Sequence, residues 1–142
     1  MPTPPPIDWA NAEAPTLADL EALADAAFAR LPREFRALCE GVVVKVEDFP
    51  DEGTLEEMEC ESEFDLLGLF RGVGLAQGGE QFQTGQFPNM VWLYRRPLLD
   101  YWAEHEETLG HLVTHVLVHE IGHHFGLSDD DMAAIEAAAG EG

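Results

Sequence analysis

One segment near the C-terminus, residues 106–125, limits the folds open to this chain more than any other. Its apolar residues recur at helical spacing on two opposite sides of the predicted helix. The first side holds Leu109, Leu112, Val113 and Val116, and the other holds Val118, Ile121 and Phe125. A helix that is apolar on both sides is buried between layers of a domain. The polar residues of this helix therefore need a specific reason to be there.

Two of those polar residues are His119 and His123, on the first side of the helix. Histidines at positions i and i+4 have Cβ atoms ~5–6 Å apart, so both rings can reach one ion at the Zn–N distance of ~2.0–2.1 Å. Glu120 lies about 60° around the helix from His123. That direction does not suit a third ligand but does suit a base that takes a proton from a metal-bound water. The HExxH spacing therefore predicts one Zn²⁺ per chain, with Glu120 as the catalytic residue.

The residues after the helix supply a candidate third ligand. Gly126 suits the left-handed position that ends a helix and turns the chain. After such a turn, Asp129 can present its carboxylate to the same metal. The competing role for Asp129 is to cap the terminal helix, which is predicted at residues 130–139. However, Ser128 and Asp131 have the spacing of a capping box and leave Asp129 free. We therefore expect His119, His123 and Asp129 to be the metal ligands.

The rest of the chain predicts a single domain of helices and short strands. Residues 1–15 are proline-rich and predict an extended arm or packed tail, and residues 16–142 form the domain. Thr16 and Asp19 have capping-box spacing, and Pro32 should close the helix that follows. The predicted helices cover 17–31, 33–40 and 97–103, and the predicted strands cover 42–46, 66–71 and 90–94. Ten acidic residues within 47–65 indicate a solvated loop with one helical turn, and five glycines within 72–85 indicate a long loop or hairpin.

Charge and cysteine content exclude some classes of function. The chain has 28 acidic and 7 Lys and Arg residues, which gives a net charge of −21. This charge repels nucleic acid and anionic membranes, so neither is expected as a partner, whereas a basic peptide would be attracted. No apolar run reaches the ~20 residues of a membrane helix, and the N-terminus resembles no secretory signal. Cys39 and Cys60 are then expected to be reduced thiols, and a cytoplasmic location is predicted.

Residues 119–132, HEIGHHFGLSDDDM, match the pattern HExxHxxGxxD and resemble the zinc-binding signature of metzincin-like zincins, with Asp129 in place of the usual third histidine. Together with residues 67–72 (LGLFRG) and 93–97 (LYRRP), they are similar to a small bacterial family of zincin-like, possible zinc metallopeptidases. The resemblance covers about residues 35–135. It implies an α+β minimal zincin fold with a short mixed β-sheet packed on helices. It also implies a zinc-dependent hydrolase that cleaves a peptide or small amide.

The sequence also departs from true metzincins and leaves alternatives open. Thirteen residues follow Asp129 (142 − 129), and Met132 lies too close to Asp129 to form the methionine turn of those enzymes. A non-catalytic, zinc-stabilised binding module and a hydrolase of non-peptide amides are therefore the rival hypotheses. A di-iron bundle would need a second ExxH motif, and none occurs. His115 lies ~12 Å along the helix from His123 and cannot share one ion with it. His111, His115 and His124 are thus expected to have structural roles.

Overall fold

A computed structural model describes residues 6–72 and 89–141, with side chains up to residue 139. Within these residues the fold is α+β, with six α-helices and a three-stranded mixed sheet. A 3₁₀ turn at Trp9–Asn11 precedes the first helix. The elements in chain order are α1 (Leu17–Arg30), α2 (Arg33–Leu38), β1 (Val43–Glu47), α3 (Glu52–Glu57), β2 (Gly68–Arg71), β3 (Met90–Tyr94), α4 (Arg95–Glu104), α5 (Leu109–His124) and α6 (Asp129–Glu141).

The first helix begins and ends where the sequence predicts. The Thr16 hydroxyl accepts a hydrogen bond from the backbone N–H of Asp19 (3.1 Å), and the Asp19 carboxylate accepts one from the backbone N–H of Thr16 (2.8 Å). This reciprocal pair satisfies two N–H groups that would otherwise lack partners at the helix start. Because proline disfavours helical backbone in the residue before it, the helix ends ahead of Pro32.

The sheet has the strand order β1-β3-β2, with β1 parallel and β2 antiparallel to β3. β2 therefore lies at one edge of the sheet. It also packs directly on α5, and the contact is close at Gly68. A Cβ atom added at Gly68 would lie 2.7 Å from Val116 Cγ1 and 2.9 Å from the backbone oxygen of Trp92. The absence of a side chain at this position allows β2 to approach both its neighbouring strand and the helix.

α5 lies at the centre of the fold, as its two apolar sides predict. It contacts β2 and β3 of the sheet as well as α1, α4 and α6. Eight of its residues are buried: Leu112, Val113, Thr114, Val116, Leu117, Val118, Ile121 and Gly122. Burial of the aliphatic side chains among them stabilises the fold by roughly 1.5–3 kcal/mol each. Any polar side chain on α5 that faces a neighbouring element is therefore held on a rigid support.

Two helices, α4 and α3, differ from or extend the sequence predictions. α4 begins at Arg95, two residues before Pro97, because proline is tolerated anywhere in the first turn of a helix, where its missing N–H would have no partner. The acidic stretch 47–65 contains the short helix α3, whose first turn is capped by Asp51. The predicted loop or hairpin at 72–85 falls outside the described residues except for Gly72. Among the described helices, none is long and apolar enough to span a membrane.

Candidate metal centre

The zinc motif lies at the C-terminal end of α5, where the chain reverses direction. Gly126 has a φ of +78°, in the left-handed region that favours glycine. The Leu127 N–H donates to the carbonyl of Gly122 (2.9 Å), and the Gly126 N–H donates to that of His123 (3.1 Å). This pair of bonds is a Schellman motif, which satisfies the last carbonyl groups of the helix. The turn predicted from Gly126 is therefore present and brings α6 back alongside α5.

The two motif histidines lie next to each other on α5. Their ring centroids are 5.7 Å apart, and the ring planes are nearly perpendicular, at 87°. Two imidazoles that share a tetrahedral zinc ion at ~2.1 Å have centroids roughly 5 Å apart. Small ring rotations would therefore bring His119 and His123 to one ion. The His119 side chain is 27% exposed, and His123 lies at the surface, so a cation can reach both.

Glu120 is half-buried and is held by the edge strand of the sheet. Its carboxylate accepts a hydrogen bond from the backbone N–H of Phe70 in β2. Burial raises the pKa of Glu120 above its usual value, while the nearby His123 and the Phe70 hydrogen bond lower it in part. A carboxyl group with a raised pKa accepts a proton more readily than an exposed one. Its position beside both histidines fits the role of a general base.

Asp129 is the first residue of α6 and is exposed. It does not cap this helix. The Ser128 hydroxyl accepts from the backbone N–H of Asp131 (3.0 Å), and the Asp131 carboxylate accepts from the N–H of Ser128 (3.3 Å). The predicted capping box leaves the Asp129 carboxylate without a capping role. Among the described residues, His119, His123 and Asp129 do not form a cluster with all ligand atoms within 4.8 Å of one another. Asp129 remains a predicted ligand.

A different trio does form such a cluster: His115, His119 and Glu136. The Nε2 atom of His119 and the Nδ1 atom of His115 each lie 2.9 Å from a different oxygen of the Glu136 carboxylate. The four-residue spacing of the two histidines is visible in the sequence. Glu136 belongs to another helix, 17 residues after His119, and no local pattern singles it out. Its place in the cluster follows from the packing of α6 on α5.

The remaining polar residues near the motif have structural partners. His124 stacks on Phe70 with ring centroids 4.1 Å apart, as expected of a structural histidine. His111 lies 2.8 Å from the carboxylate of Glu107, one turn earlier. Arg71 forms a bidentate ion pair with Glu57, and Arg95 pairs with Asp48. We therefore assign none of these side chains to the metal centre.

The donor set near the C-terminal end of α5 suits zinc. Imidazole nitrogen and carboxylate oxygen are both ligands that zinc accepts in tetrahedral sites. His119 and His123 would supply two nitrogens, and a carboxylate from α6 would supply an oxygen. Glu120 lies between the two histidines in the sequence, and its carboxylate accepts a hydrogen bond from the backbone N–H of Phe70 in β2.

The family model of the zincin-like metallopeptidases matches the chain over residues 39–139. The match spans 101 residues (139 − 39 + 1), more than two thirds of the 142 in the chain. It includes the whole HExxH motif, the turn at Gly126 and most of α6. No curated protein matches the sequence.

Proposed function

Since the chain belongs to the zincin-like metallopeptidase family, we propose that it is a zinc-dependent peptidase with His119, His123 and Asp129 as metal ligands and Glu120 as general base. One observation supports the proposal most directly. Glu120 is a half-buried carboxylate fixed by the Phe70 N–H, next to the two imidazoles that can hold zinc. A purely structural metal site would not need a carboxylate in this position.

This geometry supports the following roles for the residues. When bound, zinc supplies Lewis acidity, which polarises an amide carbonyl and lowers the pKa of water. Glu120 takes the proton of the attacking water and later passes it to the leaving amine. The hydrogen bond from the Phe70 N–H holds the Glu120 carboxylate against β2. Because most of α5 is buried, the helix is a rigid support that holds His119, Glu120 and His123 at fixed positions relative to one another.

The substrate that we propose is a peptide lying along the edge of the sheet. β2 is an edge strand and contacts both α5 and Glu120, so an extended chain paired with it would pass close to the base. The net charge of −21 would attract basic segments, with an effect that weakens as salt screens the charges. Cleavage of a lysine- and arginine-rich peptide should therefore fall more steeply with salt than cleavage of a neutral peptide.

The experiment that tests the catalytic role is Glu120→Gln. Glutamine nearly keeps the shape and the hydrogen-bonding capacity of the side chain but cannot accept a proton at neutral pH. We expect turnover of a peptide library to fall by the ~10²–10⁴-fold typical of a lost general base, with zinc content unchanged. The matched control is Glu104→Gln, at the exposed end of α4, which should leave both unchanged. Equal activity in wild type and Glu120→Gln would refute the mechanism. A zinc-bound wild type without turnover would favour the binding module.

The ligand assignment is tested by metal affinity. His119→Ala or His123→Ala should abolish zinc binding at the motif, because each removes an imidazole donor. Asp129→Ala should weaken binding less than either, with Asp130→Ala as a control in the same exposed turn. If Asp129→Ala and Asp130→Ala bind zinc equally well, Asp129 is not a ligand.

A further inference from the structure

A second group of metal-ligand side chains lies on α5, one helical turn before the zinc motif. It consists of His115, His119 and Glu136, whose ligand atoms all lie within 4.8 Å of one another. The carboxylate of Glu136 bridges the two imidazoles, with one oxygen 2.9 Å from His115 Nδ1 and the other 2.9 Å from His119 Nε2. The rings themselves are close, with centroids 4.0 Å apart.

The environment of Glu136 is unusual for a carboxylate in so acidic a chain. Its side chain is only 15% exposed, and its ion pairs within the described residues are with these two histidines rather than with Lys or Arg. A cavity of about 420 Å³ borders Glu136 and is also lined by His111 and Arg30. The His115 side chain is 46% exposed, so a cation could reach it from solvent.

The three donors match the requirements of a zinc-type cation. Two imidazole nitrogens and one carboxylate oxygen are the same donor types as in the proposed motif site. Ligand atoms on a tetrahedral zinc ion at ~2.1 Å are ~3.4 Å apart. The observed 2.9 Å separations would need to widen by about half an ångström, which rotation of two partly exposed imidazoles allows.

We propose that His115, His119 and Glu136 form a second Zn²⁺ position that is mutually exclusive with the motif site. His119 would use its Nε2 atom in both, and one imidazole nitrogen binds one ion. The two positions are offset by about one turn, ~6 Å along α5. The exclusivity, though not the second position itself, rests on the proposed role of His119 as a motif ligand. Each chain then holds one ion, which has two alternative sets of ligands.

The test uses full-length protein stripped of metal, with Zn²⁺ affinity measured by competition with a chromogenic chelator and ligand geometry by Co²⁺ absorption. His123→Ala, which removes the motif site, should still bind one Zn²⁺. Adding His115→Ala or Glu136→Gln to that variant should weaken binding by more than about 100-fold. The matched control adds His111→Ala to His123→Ala instead. His111 is an exposed histidine one turn before His115, so this addition should leave the Zn²⁺ affinity unchanged. Circular dichroism verifies that every variant is folded.

Three outcomes would overturn the second position. The first is that wild type binds one Zn²⁺ and His123→Ala binds none, because the motif site is then the one position that holds the ion. The second is that the His115→Ala and His111→Ala additions have equal effects, since the trio is then only hydrogen-bonded. The third is that Glu136→Gln, but not His115→Ala, removes zinc from the otherwise unchanged chain, which would make Glu136 a ligand of the motif site. The proposed peptidase function fails on a different result, full activity in Glu120→Gln.

Discussion

The close packing of α6 on α5 at Gly122 leads to a prediction with a magnitude. A Cβ atom added at Gly122 would lie 2.5 Å from Met132 Sδ, 2.9 Å from Met132 Cγ and 3.6 Å from Leu127 Cδ1. Met132 is fully buried, so its side chain cannot swing into solvent to make room. Overpacking of this kind costs ~1–3 kcal/mol. The gain in helix propensity from glycine to alanine offsets ~1 kcal/mol of that cost.

Gly110 on the same helix is the matched control. A Cβ atom added there would have one neighbour within 4 Å, Leu23 Cδ2 at 4.0 Å, which is ordinary contact. Gly110→Ala should therefore stabilise the protein by up to ~1 kcal/mol through propensity alone. We expect Gly122→Ala to be less stable than Gly110→Ala by about 2 kcal/mol in the free energy of unfolding from urea titration.

A double-mutant cycle with Met132 identifies the cause. Met132→Ala alone should destabilise by ~2–5 kcal/mol because it leaves a cavity. In that background the clash is gone, so Gly122→Ala should become neutral or stabilising, with a coupling of ~1–3 kcal/mol. If Gly122→Ala is as stable as Gly110→Ala in the wild-type background, or if the cycle shows no coupling, the packing argument is wrong.

Three further predictions concern other parts of the fold. Gly68→Ala should lose ~2–3 kcal/mol in urea unfolding, because its Cβ would meet the backbone oxygen of Trp92, which cannot move without parting β2 from β3; stability equal to wild type would contradict this. Burial raises the pKa of the Cys39 thiol to about 11, so in a Cys60→Ser variant a thiol reagent at pH 7 should react only after unfolding, and rapid labelling of the native protein would refute it. Thr16→Ala removes one half of the capping box and should cost ~1 kcal/mol by thermal unfolding, whereas Thr16→Ser should cost much less; equal losses would exclude the cap as the cause.

Local patterns in the sequence predict the parts of the site that depend on neighbouring residues. The i, i+4 spacing of His119 and His123 places both rings on one face of α5, because helix geometry alone determines this relation. The left-handed Gly126 is predicted because glycine adopts that backbone at low cost. The capping box of Ser128 and Asp131 depends on a spacing of three residues. In each case the interacting groups are less than two turns apart.

Contacts between distant segments are not predictable in the same way. The hydrogen bond from Phe70 to Glu120 joins residues 50 positions apart (120 − 70) and depends on how β2 packs on α5. The contact of Glu136 with His115 and His119 depends on the angle at which α6 returns along α5. The spacing of residues along the sequence does not predict the packing of β2 on α5 or the angle between α6 and α5. These two contacts determine the orientation of the proposed base and of the histidine shared between the two proposed metal positions.

The most direct test of the central claim is a zinc-edge anomalous diffraction experiment on crystals of the zinc-loaded protein. The account predicts one strong anomalous peak per chain, ~2.1 Å from nitrogens of both His119 and His123, with the Glu120 carboxylate outside bonding distance of the ion. A zinc-loaded crystal with no peak at these two histidines, or with Glu120 bound directly to the metal, would contradict it.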